Sequence, residues 1–164
     1  MALSGDSAGA VHAINCGIGA YQSSGSTLML VQYFAYLAKA HAELRQFDDA
    51  WRSINEGMSL IETTNERWCE AEVNRVTGEI ALKSSGPDVA KTQTYFERAL
   101  SVARKQQAKS WELRAAMSMA RLWRDQGKRD DARDLLAPVY GWFTEGFDTL
   151  DLKEAKNLID ELSS

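Results

Sequence analysis

The chain has 164 residues, 45% hydrophobic and 26% charged, with 19 Lys and Arg against 23 Asp and Glu. That is enough chain and enough apolar content for one domain with a sizeable core, and it argues against global disorder. Two cysteines, Cys16 and Cys69, are too few for a disulfide framework and read as free thiols at small, half-buried helical positions. The segment MALSGDSAGA has no basic region and no continuous apolar run, so neither a signal peptide nor a membrane span is expected, and a cytoplasmic location is.

With only two prolines, Pro87 and Pro138, and long periodic stretches of Ala, Leu, Glu, Arg and Lys, helix is the expected element throughout. A first helix runs from Gly5 to the Ser23-Ser24-Gly25 break with Ala10, Ile14, Gly17 and Ile18 on one face. Ser26 is expected to cap a helix to about Leu44, and Asp48-Asp49 to open the next, to about Thr63. Its first helix packs through Leu37, Ala38 and His41, and Phe47, Ala50 and Ile54 restart the spacing after the polar break at Arg45-Gln46. Helical spacing returns from Glu66 to Lys83, breaks at Ser84 to Asp88, and resumes near Val89 with Tyr95, Phe96, Ala99, Leu100 and Ala103. A helix from Ser110 to Gln126 ends at Gly127, another covers Asp130 to about Phe143, and Leu150 to Leu162 follows a cap at Asp148 or Thr149.

Small residues recur at a fixed interval. Ala38, Gly78 and Ala120 stand 40 and 42 residues apart, and Ala10, Ala50, Thr92 and Ala132 stand 40, 42 and 40 apart. Gly17, Gly57 and Ala99 keep the same steps, as do Ile14, Ile54, Phe96 and Leu136. The two extra residues fall between Gly78 and Thr92, where the Ser84 to Asp88 turn lies.

At these positions the chain resembles the tetratricopeptide repeat: a small residue after a Leu or Met (Leu37-Ala38, Met119-Ala120), an aromatic three residues on (Trp123), then an aromatic and Ala in the second helix (Phe47, Ala50). It departs in its longer period, in Thr77 and Thr92, and in having no closing proline. Segments such as YLAKAHAELRQFDDAW and TYFERAL are similar to the C-terminal repeat region of bacterial proteins that join a class III adenylate/guanylate cyclase domain to an ATPase domain. The resemblance implies an all-α, right-handed α-solenoid of antiparallel helix pairs: a half repeat at 1–25, repeats at 26–65, 66–108 and 109–146, and a capping helix at 147–164. It implies a non-enzymatic protein-interaction or scaffold module, the regulatory end of a larger bacterial signalling protein. Expected partners are a protein or acidic peptide, the upstream domains of the parent, and a second copy through Val11, Ile14, Ile18 and Tyr21 of the half repeat, whose apolar face lacks a preceding helix.

Motifs for other chemistry are weak. Neither GxxxxGK[ST] nor HExxH occurs, and Gly17-Ile-Gly19 sits inside a helix, where close packing explains it better than phosphate binding. His12 and Cys16 share a helical face, but His41 and Cys69 do not complete a four-ligand set, so neither metal nor cofactor is expected. Glu70, Glu72 and Glu79 read as a solvated face, and Trp51, Trp68, Trp111, Trp123 and Trp142 as packing residues. Residues 91–133 carry 11 Lys and Arg against 5 Asp and Glu, while the flanking segments are acidic. These cations are spread over three helices without a reading motif, which disfavours nucleic acid; a nucleic-acid-binding solenoid and a small-molecule sensor remain the alternatives.

In proteins of this resemblance the first helices line the concave face. The stripe beside the packing positions is Gln32, Ala35, Lys39 and Ala42, then Glu72, Arg75, Glu79 and Leu82, then Arg114, Met117, Arg121 and Arg124. Arg114, Arg121 and Arg124 are expected to receive an acidic peptide or an acidic segment of the parent protein, with Met117 as an adaptable apolar contact.

Overall fold

The computed structural model describes residues 7–84 and 88–164, and among them the chain is all-helical, with eight helices and no strand. They are α1 (Ser7–Ser23), α2 (Leu30–Glu43), α3 (Phe47–Thr64), α4 (Glu70–Lys83), α5 (Val89–Lys105), α6 (Lys109–Asp125), α7 (Arg129–Gly141) and α8 (Leu150–Leu162). The expected helix start at Gly5 and most of the Ser84 to Asp88 break lie outside the described residues.

Three of the connections are only three residues long (44–46, 106–108 and 126–128) and share one helix-ending geometry. Arg45, Gln107 and Gly127 adopt left-handed φ of 60°, 54° and 78°. The amide after each then donates back five residues, Gln46 to His41, Ala108 to Ala103 and Lys128 to Trp123. This satisfies carbonyls that a helix end leaves open and folds the chain sharply back. Only Gly127 of the three is recognisable as a helix terminator, because Arg and Gln adopt this conformation against their steric preference.

Two helix starts fall later than the sequence suggests. Ser26 does not cap α2, which begins at Leu30. The intervening turn is instead drawn to the next connection: Thr27 Oγ1 donates to Glu66 Oε1 at 2.9 Å, and Trp68 Nε1 donates to the Leu28 carbonyl at 3.0 Å. The same contacts hold 66–69 out of the helix, so α4 begins at Glu70. At α8 Thr149 occupies the capping position, but its hydroxyl donates to Gly146 O and does not cap.

Each helix packs against the next, and the alternate helices α2, α4, α6 and α8 also touch in succession; among the described residues no helices further apart in the chain are in contact. The small-residue columns are where this packing is closest. Ala10, Ala50, Thr92 and Ala132 are all buried, as are Ala38 and Ala120. At Gly78 a Cβ would stand 2.5 Å from the Phe96 ring, so α4 and α5 approach at a distance only glycine permits. Gly17 is different, since a Cβ there would meet nothing within 4 Å. Its counterpart Gly57 faces Phe34 of α2, its own hairpin partner, and no described helix stands in that place before α1.

Several placements correct the sequence expectations. The apolar face of α1 is partly covered by the helix that follows it: Ile18 is buried, and half-buried Val11, Ile14 and Tyr21 pack with Leu30, Tyr33, Phe34 and Leu37 of α2. His41 is only half-buried, its ring beside Gln46 Oε1 at 2.7 Å, and Ala42 takes the packing position. Four tryptophans are half-buried, with Trp68 and Trp111 in ring contact at 5.8 Å, but Trp142 is 58% exposed. Cys69 is buried whereas Cys16 is exposed, and both are free.

Candidate interaction cleft

α4 touches α2, α3, α5 and α6, so water reaches little of it. Glu70, Glu72, Asn74, Arg75 and Thr77 are buried with its apolar residues. The expectation of a solvated face at Glu70 and Glu72 is therefore wrong: helical period alone cannot show that a helix is covered on both sides. A buried charge must be paired, and these are. Arg75 grips Glu72 through two bonds of 2.7 Å, Nε to Oε2 and Nη2 to Oε1, and its Nη1 donates to Glu79 Oε1. Ser118 Oγ of α6 lies 3.3 Å from the same Glu79 oxygen. Glu70 pairs with Arg67 and Arg98, and Asn74 Nδ2 and Thr77 Oγ1 donate to carbonyls one turn back.

Burial would raise the Glu72 carboxyl, but the hydrogen bonds from Arg75 and the charges of Arg75, Arg114 and Lys39 outweigh it and hold the group below the usual glutamate range. Arg75 is likewise held protonated: its burial opposes the charge, and Glu72 and Glu79 more than restore it. A carboxylate so strongly stabilised is a poor proton acceptor near neutral pH. Burial pushes the Cys69 thiol up to about 12, which keeps it protonated and a poor nucleophile.

This charged ridge is the floor of a cleft of about 470 Å³. α2 adds Tyr36 and Lys39, α6 adds Arg114, Met117 and Arg121, α1 forms an apolar wall of Ala10, Ala13 and Ile14, and α8 closes the far side with Leu150, Asp151 and Glu154. Seven of the nine residues singled out from the sequence thus share one cavity: Lys39, Glu72, Arg75, Glu79, Arg114, Met117 and Arg121. Gln32 and Arg124 are not among its walls. Gln32 donates to Tyr36 Oη at 2.8 Å, and Arg124 is engaged by Asp125 and Glu161. Ala35, Ala42 and Met117 are buried, so the stripe is partly packing surface between successive first helices and not a wholly open face.

The arginines of α6 are already engaged within the chain. Arg114 Nε donates to Asp151 Oδ2 at 2.7 Å, Arg121 Nη2 to Glu154 Oε2 at 2.8 Å, and Arg124 Nη1 to Glu161 Oε2 at 3.0 Å. Lys39 is the cleft cation without an ion pair among the described residues. Sequence reasoning missed the α1 wall, Tyr36 and the α8 carboxylates. Asp151, Glu154 and Glu161 share one face of α8 at i, i+3 and i+10, and that acidic face was the available signal for the last.

Comparison of the chain with protein-family models and with curated proteins found no match. Among the described residues no helix is long and apolar enough to cross a membrane.

Proposed function

We propose that this chain is a non-enzymatic interaction module, a solenoid of the tetratricopeptide kind, whose cleft takes a segment of a partner or parent protein carrying both acidic and apolar side chains. The observation that carries this is Lys39. It is a half-buried cation that makes no close ion pair among the described residues and acts on buried Glu72 only through its charge, in a cavity whose other walls offer Ile14, Met117 and Leu150. A carboxylate of the guest satisfies Lys39, and an adjoining apolar side chain covers the α1 wall. Helix contacts that run only between near neighbours, with α2, α4, α6 and α8 in succession, support the solenoid reading.

The test is fluorescence anisotropy with a labelled peptide alternating glutamate and leucine. Wild-type protein gives saturable binding, Lys39→Gln weakens it about tenfold, as loss of one charge-assisted contact implies, and Lys156→Gln on the outer face of α8 leaves it unchanged. Equal binding by wild type and Lys39→Gln, or none by wild type, overturns the reading.

The cleft volume favours one further reading, a small-molecule sensor. At about 470 Å³ it falls within the roughly 300–1,000 Å³ of ordinary ligand pockets. A metabolite panel that raises the melting temperature in a Lys39-dependent way would support this, and a flat panel would remove it.

A further inference from the structure

The ion pairs between α6 and α8 have a consequence for any acidic guest. Arg114 and Arg121 line the cleft, and each gives a single N–H bond to a carboxylate of α8, while Arg114 Nη1 also lies 3.8 Å from Oε1 of buried Glu72. A guanidinium presents five donors in a fork suited to two-point carboxylate binding, so each fork is only partly used. Asp151 and Glu154 stand at the same rim, with side chains 32% and 44% exposed, and the paired arginines are 36% and 39% exposed. Pairs this wet are weak and exchangeable, unlike the buried Arg75–Glu72 pair beneath them. α8 does not depend on them to stay in place, because Leu152, Ala155, Leu158 and Leu162 are buried in the core it shares with α6 and α7.

Building on the cleft reading above, we infer that α8 is a competitor held in the same chain: Asp151 and Glu154 occupy Arg114 and Arg121 in place of a partner's carboxylates, and so set how acidic a segment must be to enter. A guest carboxylate approaching either fork meets the repulsion of the resident one and must displace it or share. Lys39 is the first cation to capture an acidic guest, and the two arginines follow once α8's carboxylates swing out. Selectivity then arises between a singly acidic segment, which uses Lys39 alone, and a multiply acidic one, which exchanges with α8.

The experiment uses the full chain and the same labelled glutamate-leucine peptide. Asp151→Asn/Glu154→Gln frees Arg121, leaves Arg114 paired with Glu72 alone, and is expected to tighten binding about three- to thirtyfold, the range for two such pairs. The gain should shrink as salt rises. Asp160→Asn/Glu161→Gln removes the same two charges from the same helix outside the cleft and is expected to leave affinity nearly unchanged. An unaltered far-ultraviolet dichroism spectrum and a melting temperature within a few degrees show that α8 remains seated. If wild type binds and Asp151→Asn/Glu154→Gln binds no tighter, in-chain competition is wrong while the cleft reading survives. If the control pair gains as much, the effect is one of net charge, and competition is again wrong. If neither wild type nor Asp151→Asn/Glu154→Gln binds, both ideas fall.

Discussion

Glu72 and Arg75 show how a buried ion pair is maintained at the level of single residues. Both are buried at the floor of the cleft, and each is held charged by the other and by Glu79, Arg114 and Lys39 around them. Removing one partner leaves a desolvated charge, so Glu72→Gln should cost up to about 3–5 kcal/mol at neutral pH. The pH dependence follows from the direction of the shift. A carboxyl whose folded pKa lies below its ordinary 4.5 contributes stability that is complete above that value and is lost as pH falls through the folded pKa. Glu112, held down against its burial by Lys109 and Arg104, acts in the same direction. Thermal melts between neutral pH and pH of about 3 should therefore show wild type losing stability below the ordinary glutamate value, with a shallower acid limb in Glu72→Gln. Parallel limbs would show that Glu72 does not carry this linkage. These residues also mark a limit of sequence reading: i, i+3 and i+4 spacing places Glu72, Arg75 and Glu79 on one face, but does not say whether that face is wet.

At the scale of the element, the small-residue columns are the point where one helix accommodates the next. Ala50 and Ala132 have no exposed surface, and Thr92 stands in the same column equally buried, with its hydroxyl oxygen lacking a hydrogen-bond partner among the described residues. The two kinds of residue should respond oppositely to enlargement and to loss of polarity. Ala132→Leu overpacks the α6–α7 hairpin and should cost about 1–3 kcal/mol. Thr92→Val keeps the volume and removes an unsatisfied polar group, and should be neutral or stabilising by about 1 kcal/mol. Denaturant midpoints with unchanged slopes would report both. A stable Ala132→Leu together with a destabilised Thr92→Val would mean the columns do not mark close packing. The columns were legible from sequence because close approach admits only small side chains, and the break at Arg45-Gln46 was legible from its polarity, whereas the left-handed backbone of Arg45 and Gln107 was not, since either residue sits as readily inside a helix.

For the whole molecule, the pattern of contacts makes stability local. Among the described helices α1 packs against α2 alone, and α8 against α6 and α7, so damage at one end has no direct path to the other. Ala10→Leu should loosen α1 and the face of α2 beneath it, while amides in α6, α7 and α8 keep their hydrogen-exchange protection. Uniform loss of protection along the chain would show one cooperative unit in place of coupled neighbours. The cleft belongs to this scale as well. α1 and α8 do not touch, yet both form its walls, so its shape depends on the curvature accumulated through α2, α4 and α6.

Sequence by itself determined the helices, the interval between them and most of the cleft floor. Each rests on a local rule: 3.6-residue periodicity, small residues at close approach, and a constant step that carries Lys39 onto Glu79 and Arg121. Only the tertiary structure decided that α4 is packed between α2 and α6 and against α3 and α5, that α1 packs on α2 and supplies a wall, and that the arginine row of α6 faces the carboxylates of α8. Those outcomes depend on how successive hairpins rotate against one another. That rotation is set by side-chain packing between residues about 40 positions apart, as in the bond from Trp68 to Leu28, and no helical period encodes it.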